Sequence, residues 1–187
     1  MISSRLSLAF FMTAALVTAG CQSQDTTDTT DTDTDTTETT DTTQAAVEAH
    51  IEVIRERIEA NNTQDWDTWE SLHTEDAVRT APELPGPLEG ADAMRAGIEE
   101  LVETFPDYHL ELVEAFGTGD RLMARIHAKG TMLGPMMIGD TEIPPTGKVF
   151  EQDWVAVLTF DGDKIAAIDE FHDNYTILIQ LGLAESP

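Results

Sequence analysis

The carboxylate of Asp173 is the first group in this chain whose type and place suggest chemistry. Ile165, Ala167, Asp169, Phe171 and Asp173 alternate along one stretch, and a side-chain period of two puts all five on one face of a strand. Burial on an apolar face disfavours a charged carboxylate, which raises its pKa toward the range useful for taking and returning protons. The same position also suits the N-cap of a helix at Asn174–Leu181, because Asp is a favoured cap. His172 points to the opposite face, where it would pack on a helix or support a neighbour. Trp154 sits in the middle of a strand and reads as either pocket wall or core. Tyr108 and Tyr175 are candidate donors to an enolate oxygen. Met132, Met136, Met137 and Ile138 flank a Gly/Pro-rich stretch, as a soft lid over an apolar ligand or as a loop packed on its own domain. His127 shares a face with Met123, Arg125 and Lys129 and reads as solvated, and His109 as a surface residue. No two histidines have metal-ligand spacing, and Glu170-x-His172 does not define a site, so neither a metal nor a cofactor is expected.

Positioning these groups requires helices followed by strands. Val47, Ile51, Ile54 and Ile58 form one apolar stripe and predict a helix over Gln44–Ala60. A short helix is expected near Gln64–His73, with Thr63 as candidate cap, then a short strand over Asp76–Ala81. Pro82, Pro85, Gly86 and Pro87 force a loop. A third helix covers Ala91–Phe105, stopped by Pro106. From Tyr108 the period becomes two. Strands are expected at Tyr108–Phe116, Arg121–Met132, Lys148–Phe160 and Lys164–Asp173, with a hairpin turn at Gly117–Asp120, a flap over Leu133–Gly147 and a turn at Asp161–Asp163. Three helices ahead of successive hairpins describe an α+β domain with an antiparallel sheet wrapped over helices.

The N-terminal segment is of another kind. Met1–Cys21 carries one positive charge at Arg5, an apolar run of 12 residues from Leu6 to Val17, and small residues before Cys21. That run is short of the ~20 residues a spanning helix needs and reads as a secretion signal. Thr18-Ala19-Gly20-Cys21 resembles the lipobox of bacterial lipoproteins, which implies cleavage before Cys21 and acylation of its sulfur. Cys21 is the only cysteine, so a lipid anchor suits it better than a disulfide. The expected product is an exported, membrane-anchored lipoprotein on the periplasmic or outer-membrane side, and Gln22, where an aspartate would signal inner-membrane retention in many Gram-negative bacteria, by that resemblance favours an outer-membrane anchor. Residues 22–44 hold 7 acidic residues and 12 threonines; such a segment cannot bury enough surface to fold and reads as a disordered tether. The folded domain is expected over 45–187. The net charge of −26 repels phosphate backbones, which argues against nucleic acid as a partner. So acidic a chain, with few lysines, suggests salt adaptation.

Several short pieces, in this order and spacing, resemble the SnoaL-like polyketide cyclases, or ester cyclases, of the nuclear transport factor 2-like superfamily. They are Trp69–Asp76, Gly90, Phe105-Pro106-Asp107, Gly119-Asp120-Arg121, Gly130-Thr131, Ile143–Lys148, Gly162–Ile165, Asp173 and Gln180-Leu181-Gly182. The resemblance covers about Asn62–Leu183. It implies a cone-shaped α+β barrel, a curved sheet around one apolar pocket, and Asp173 as the acid/base of an intramolecular aldol closure that needs no metal or cofactor. Where many relatives have His in Gly-Thr-His-x-Gly, this chain has Met132, and where many have Trp four residues before the Asp, it has Asp169. On an unbroken strand Asp169 and Asp173 would lie about 13 Å apart. Trp154, Asp169, Phe171, Met132 and Tyr108 are the expected pocket residues.

Three functions follow as expectations. One is a cofactor-free acid/base catalyst, of cyclase or isomerase type, acting on a small apolar carbonyl compound outside the cytoplasm. The alternative is a non-catalytic module that binds an apolar or aromatic small molecule. A homodimer through an exposed sheet face is compatible with either.

Overall fold

The computed structural model describes residues 36–186, with side chains from residue 44. The signal segment Met1–Cys21, with its candidate lipidation site Cys21, and the tether up to residue 35 lie outside the described residues. The element order is α1 (Thr36–Thr63), α2 (Trp66–Ser71), β1 (His73–Thr80), β2 (Leu88–Glu89), α3 (Ala91–Thr104), β3 (His109–Thr118), β4 (Arg121–Thr131), β5 (Met136–Ile138), β6 (Thr141–Ile143), β7 (Val149–Asp161), β8 (Lys164–Phe171) and α4 (Asn174–Leu181).

α1 begins inside the stretch expected to be tether, since a helix that is already nucleated extends at little further cost. Its inner stripe is buried at Val47, Ile54 and Ile58, and the buried polar residues His50, Arg57 and Asn61 share that stripe. His50 reaches two hairpins at once. Its Nδ1 lies 3.1 Å from the Gly119 carbonyl and its Nε2 2.9 Å from that of Gly162, while its ring stacks on Phe160. Gln64 takes a positive φ of 57° and separates α1 from α2. Asp65, not Thr63, caps α2, accepting from Thr68 N at 3.2 Å and Thr68 Oγ1 at 2.8 Å. Ending α2 at Ser71 releases His73 into β1.

The main sheet runs β2-β1-β8-β7-β4-β3. β1 is parallel to β8 and every other neighbouring pair is antiparallel. The sheet is curved and does not close on itself. On its inner face β4 contributes Leu122, Ala124, Ile126 and Ala128, and β7 contributes Phe150, Trp154, Ala156, Leu158 and Phe160. Ala124 pairs with Ala156. These buried side chains fill the core between the sheet and its helices. Several motif residues hold this frame together. Asp107 accepts from Thr131 N and Oγ1 at 2.6 and 2.7 Å. Gln180 of α4 makes a two-point hydrogen bond to the backbone of Glu151 in β7.

Two departures from regular pairing matter for the site. β8 carries a bulge: Thr159 pairs with Ala167 while Phe160 pairs with Ile165, which leaves Ala166 extra. An extra residue inverts the facing of everything after it. Ile165, Ile168 and Glu170 are therefore all buried. The stretch Leu133–Gly147 contains the separate hairpin β5–β6. Its root is tied to the end of α3: the Thr104 carbonyl accepts from both Leu133 N and Gly134 N at 3.0 Å, and Thr104 Oγ1 donates to the Pro135 carbonyl at 2.7 Å. A side chain at Gly134 would run into the Glu103 carbonyl, so the hairpin can be seated this closely only with glycine there.

Candidate functional site

A cavity of about 580 Å³ opens between α1, α3, α4, the concave sheet face and the β5–β6 hairpin. Its walls are mainly apolar, with Met94, Ile98, Phe105, Phe150, Trp154 and Ile177 among them. Met136, Met137 and Ile138 border it from the hairpin, and Met137 and Ile138 are exposed. This size and lining fall in the range of small-molecule sites.

Two polar groupings interrupt the apolar wall. The first is on the side of β1, β8 and the Pro-rich loop. Glu170 accepts from Arg79 through Nε at 3.0 Å and Nη2 at 2.7 Å. Arg79 Nη2 also donates to Glu83 at 2.8 Å, and the other Glu83 oxygen accepts from His172 Nε2 at 2.8 Å. Burial opposes the charge on Glu83, but the hydrogen bond from His172 and the Arg79 charge outweigh it and hold its carboxyl at about 2. Burial likewise opposes the Arg79 charge, and its bonds to Glu170 overcome that and raise its pKa. In the tautomer that donates to the carboxylate from Nε2, Nδ1 is the nitrogen left with a free lone pair. The His172 ring meets Trp154 edge-on at 6.1 Å.

The second grouping lies deeper, where α1 meets α2. Arg57 Nε donates to His73 Nε2 at 3.1 Å, and His73 Nδ1 in turn donates to the Trp69 carbonyl at 2.8 Å. Burial, reinforced by the Arg57 charge, depresses the His73 imidazole to about 3, which keeps it neutral and in that tautomer. The Arg57 guanidinium sits 5.0 Å from the centre of the Trp69 ring. Tyr108 borders the same cavity. Burial and the Glu170 charge raise its phenol, so it is a proton donor at neutral pH.

The expected site residues divide between cavity and frame. Trp154 and Tyr108 line the cavity. Asp173 does not. It is exposed and caps α4, accepting from Thr176 N at 3.1 Å and Thr176 Oγ1 at 2.7 Å. Those bonds hold its carboxyl below the usual carboxylate range, the reverse of the raised pKa expected of a general base. Asp169 also lies outside the lining and accepts from Thr80 Oγ1 at 2.6 Å. Phe171 is 60% exposed. One cause explains all three corrections: the bulge at Ala166 turns Glu170 and His172, rather than Asp169, Phe171 and Asp173, toward the cavity. Met132 is fully buried in the core and takes a hydrogen bond to sulfur from Thr146. Tyr175 bonds the Glu185 carbonyl and is exposed. His127 lies on the outer face against Asp153 and Glu151, and His109 is exposed, both as expected. The sequence reading does not single out Arg57, Asn61, Arg79 or Glu83, and it takes Glu170 only as part of Glu170-x-His172. Arg57 and Asn61 had a legible signal, since they occupy the apolar stripe of α1 at i and i+4. Among the described residues no three His, Cys, Asp or Glu side chains gather as metal ligands.

The fold and cavity define a class: a cone-shaped α+β domain that encloses a small-molecule pocket between a curved sheet and its helices. The model of the SnoaL-like polyketide cyclase family matches residues 51–181, and the chain belongs to that family. Solved structures share the fold. A protein from Jannaschia sp. CCS1, described provisionally as a SnoaL-like polyketide cyclase, is 17% identical with a TM-score of 0.66, over 75% of this chain and 96% of that one. TsrD from Streptomyces laurentii is 21% identical with a TM-score of 0.63, over 73% of this chain and 96% of that one. A protein of ketosteroid isomerase-like fold from Catenulispora acidiphila, solved with trimethylamine, is 15% identical with a TM-score of 0.59, over 73% and 98%. No curated protein matches this chain.

Proposed function

We propose that the domain binds a small, largely apolar carbonyl compound in this cavity and moves a proton on it without a cofactor. The observation that carries the reading is the His172–Glu83 pair in the wall of a mostly apolar cavity. A carboxylate on Nε2 orients the ring and stabilises the imidazolium that forms when Nδ1 takes a proton. Tyr108, a neutral phenol that lines the same cavity, is the donor suited to the developing enolate oxygen. Glu170 is a poorer base, because both its oxygens are engaged by Arg79.

The check is exchange of the α-protons of 2-tetralone in heavy water, followed by NMR. The wild-type chain is expected to accelerate exchange over buffer, and His172→Gln to lose at least tenfold of that acceleration, within the usual contribution of one acid/base group. Asp173→Asn keeps both cap and exchange, since Asn caps as well as Asp. Full exchange in His172→Gln would remove His172 as the base, and loss of exchange in Asp173→Asn would return the catalytic role to Asp173. Binding without chemistry is the second reading, favoured by the complete pairing of Glu170; tight 2-tetralone binding with exchange at the buffer rate is its signature.

Export and a lipid anchor at Cys21 belong to the same proposal. The full chain is expected to sediment with membranes and Cys21→Ser to stay in the soluble fraction. Equal partition of the two would remove the anchor.

A further inference from the structure

Arg57 is the one cavity-lining cation that the fold leaves without an acid partner among the described residues. Arg79, the other cavity arginine, is satisfied by Glu170 and Glu83. The ion pairs of the described residues do not include Arg57; the single side-chain hydrogen bond it makes goes from Nε to His73, which burial keeps neutral. The residue is only 7% exposed. Burial lowers its pKa to about 10, so it is still a cation at neutral pH. Glu170 is near enough to favour that charge, but its two oxygens face Arg79.

Two further donors lie beside it. Asn61 follows Arg57 by four residues in α1 and so shares its helix face. Trp69 carries the Arg57 guanidinium on its ring. Asn61 Nδ2 and Trp69 Nε1 are both buried without a hydrogen-bond partner, and Arg57, Asn61 and Trp69 all line the cavity. A buried donor left unpaired is destabilising, and a buried cation without a counter-charge is more so. A neutral carbonyl oxygen would satisfy the two N–H groups and leave the arginine charge uncompensated. A carboxylate answers all three, because two coplanar oxygens match the guanidinium fork and still accept from neighbours.

We propose that this deep end of the cavity, formed by Arg57, Asn61 and Trp69, is a carboxylate subsite, and that the ligand is an apolar carboxylic acid. The assignment rests on the cavity being a small-molecule site, and it adds the functional group by which the ligand is held. The acid group seats at the α1–α2 junction, and the apolar body extends past Phe150 and Trp154 toward His172. For a catalysed reaction the substrate is then a keto acid, anchored at one end and deprotonated at the other.

The test is calorimetric titration of the full chain with 2-naphthoate and with 2-naphthamide, a neutral analogue of nearly the same shape. The acid is expected to bind at least tenfold tighter. Arg57→Gln should bring the acid-to-amide ratio close to one while the amide affinity stays within threefold. Asn61→Leu should weaken the acid at least threefold and, by removing a buried unpaired donor, raise the Tm of the unliganded protein by about 2–4 °C. A merely structural Asn61 would lower that Tm and leave the ratio alone. If acid and amide bind equally to the wild type, the carboxylate subsite is rejected and the cavity reading stands. If neither binds, both are rejected. Should Arg57→Gln fail to fold, the wild-type ratio and Asn61→Leu still decide.

Discussion

Glu170→Gln is expected to destabilise the domain by about 3–5 kcal/mol, the usual consequence of removing one partner from a buried ion pair. The Glu170 side chain is 6% exposed and that of Arg79 is 22% exposed. Glutamine keeps the shape and one acceptor but deletes the charge that answers the guanidinium. Arg79 would then lean on Glu83 alone, whose side chain is 41% exposed and correspondingly less able to stabilise a buried cation. At this size the loss corresponds to a fall in Tm on the order of 10 °C. Replacing both partners, as Arg79→Met with Glu170→Leu, should recover most of it, because the cost lies in the orphaned charge rather than in the missing bond. Thermal unfolding of the two single variants and the double variant gives the coupling directly. A loss below about 1 kcal/mol in Glu170→Gln would mean that the pair is solvated and that the wall around His172 is held by something else.

The second large effect is loss of stability on acidification, through His73. Its folded pKa of about 3 lies below the ordinary histidine value of 6.5, so the unfolded chain binds the extra proton first. Stability from this group is complete above pH 6.5 and is lost progressively as pH falls toward 3. Burial is the main cause, followed by the Arg57 charge, with a smaller contribution from Lys164. Glu83 adds a lower window, between the ordinary glutamate value of 4.5 and about 2. His73 is worth a few kcal/mol on the scale of 1.36 kcal/mol per unit, and Glu83, its side chain 41% exposed, adds much less because solvent screens it. The chain's net charge of −26 works the other way, since protonating surface carboxylates relieves repulsion. The decisive comparison is therefore wild type against His73→Gln, which keeps an acceptor for Arg57 and a donor for the Trp69 carbonyl but does not titrate. Urea unfolding at pH 7, 5.5 and 4 should give a shallower decline for His73→Gln. Parallel declines would show that His73 is protonated without penalty in the folded state.

The proposed carboxylate subsite and the proposed proton-moving pair would together give the cavity a direction. An acid group at Arg57 and a reactive carbon near His172 would put charge recognition at the deep end and chemistry nearer the mouth. That order keeps the reacting bond close to the hairpin bearing Met136, Met137 and Ile138, whose adaptable side chains suit a ligand that changes shape as it reacts.

Much of this was legible in the sequence, for a simple reason. Helical and strand periods are local, so the stripe Val47, Ile54, Ile58 announced α1, Pro106 ended α3, and the alternation of Leu122 to Ala128 and of Phe150 to Phe160 announced β4 and β7 to within two residues. Apolar residues of the right period must face a common core whatever lies beyond it, and helices ahead of hairpins leave few ways to build that core. Trp154 could be placed at the cavity because β7 pairs with β4 without a break in register, and Tyr108 because it stands directly before the first residue of β3. The site as a whole was decided by tertiary structure. One extra residue at Ala166, invisible to a period-two reading, turned Glu170 and His172 inward and left Asp173 to cap α4. Arg57 meets His73 and Trp69 only because Gln64 breaks the chain and folds α2 back on α1, and Arg79 meets Glu170 only because β1 pairs with β8 across 91 residues. A side chain's facing depends on register, and its partner depends on which distant strand lies alongside; neither is a property of the local sequence.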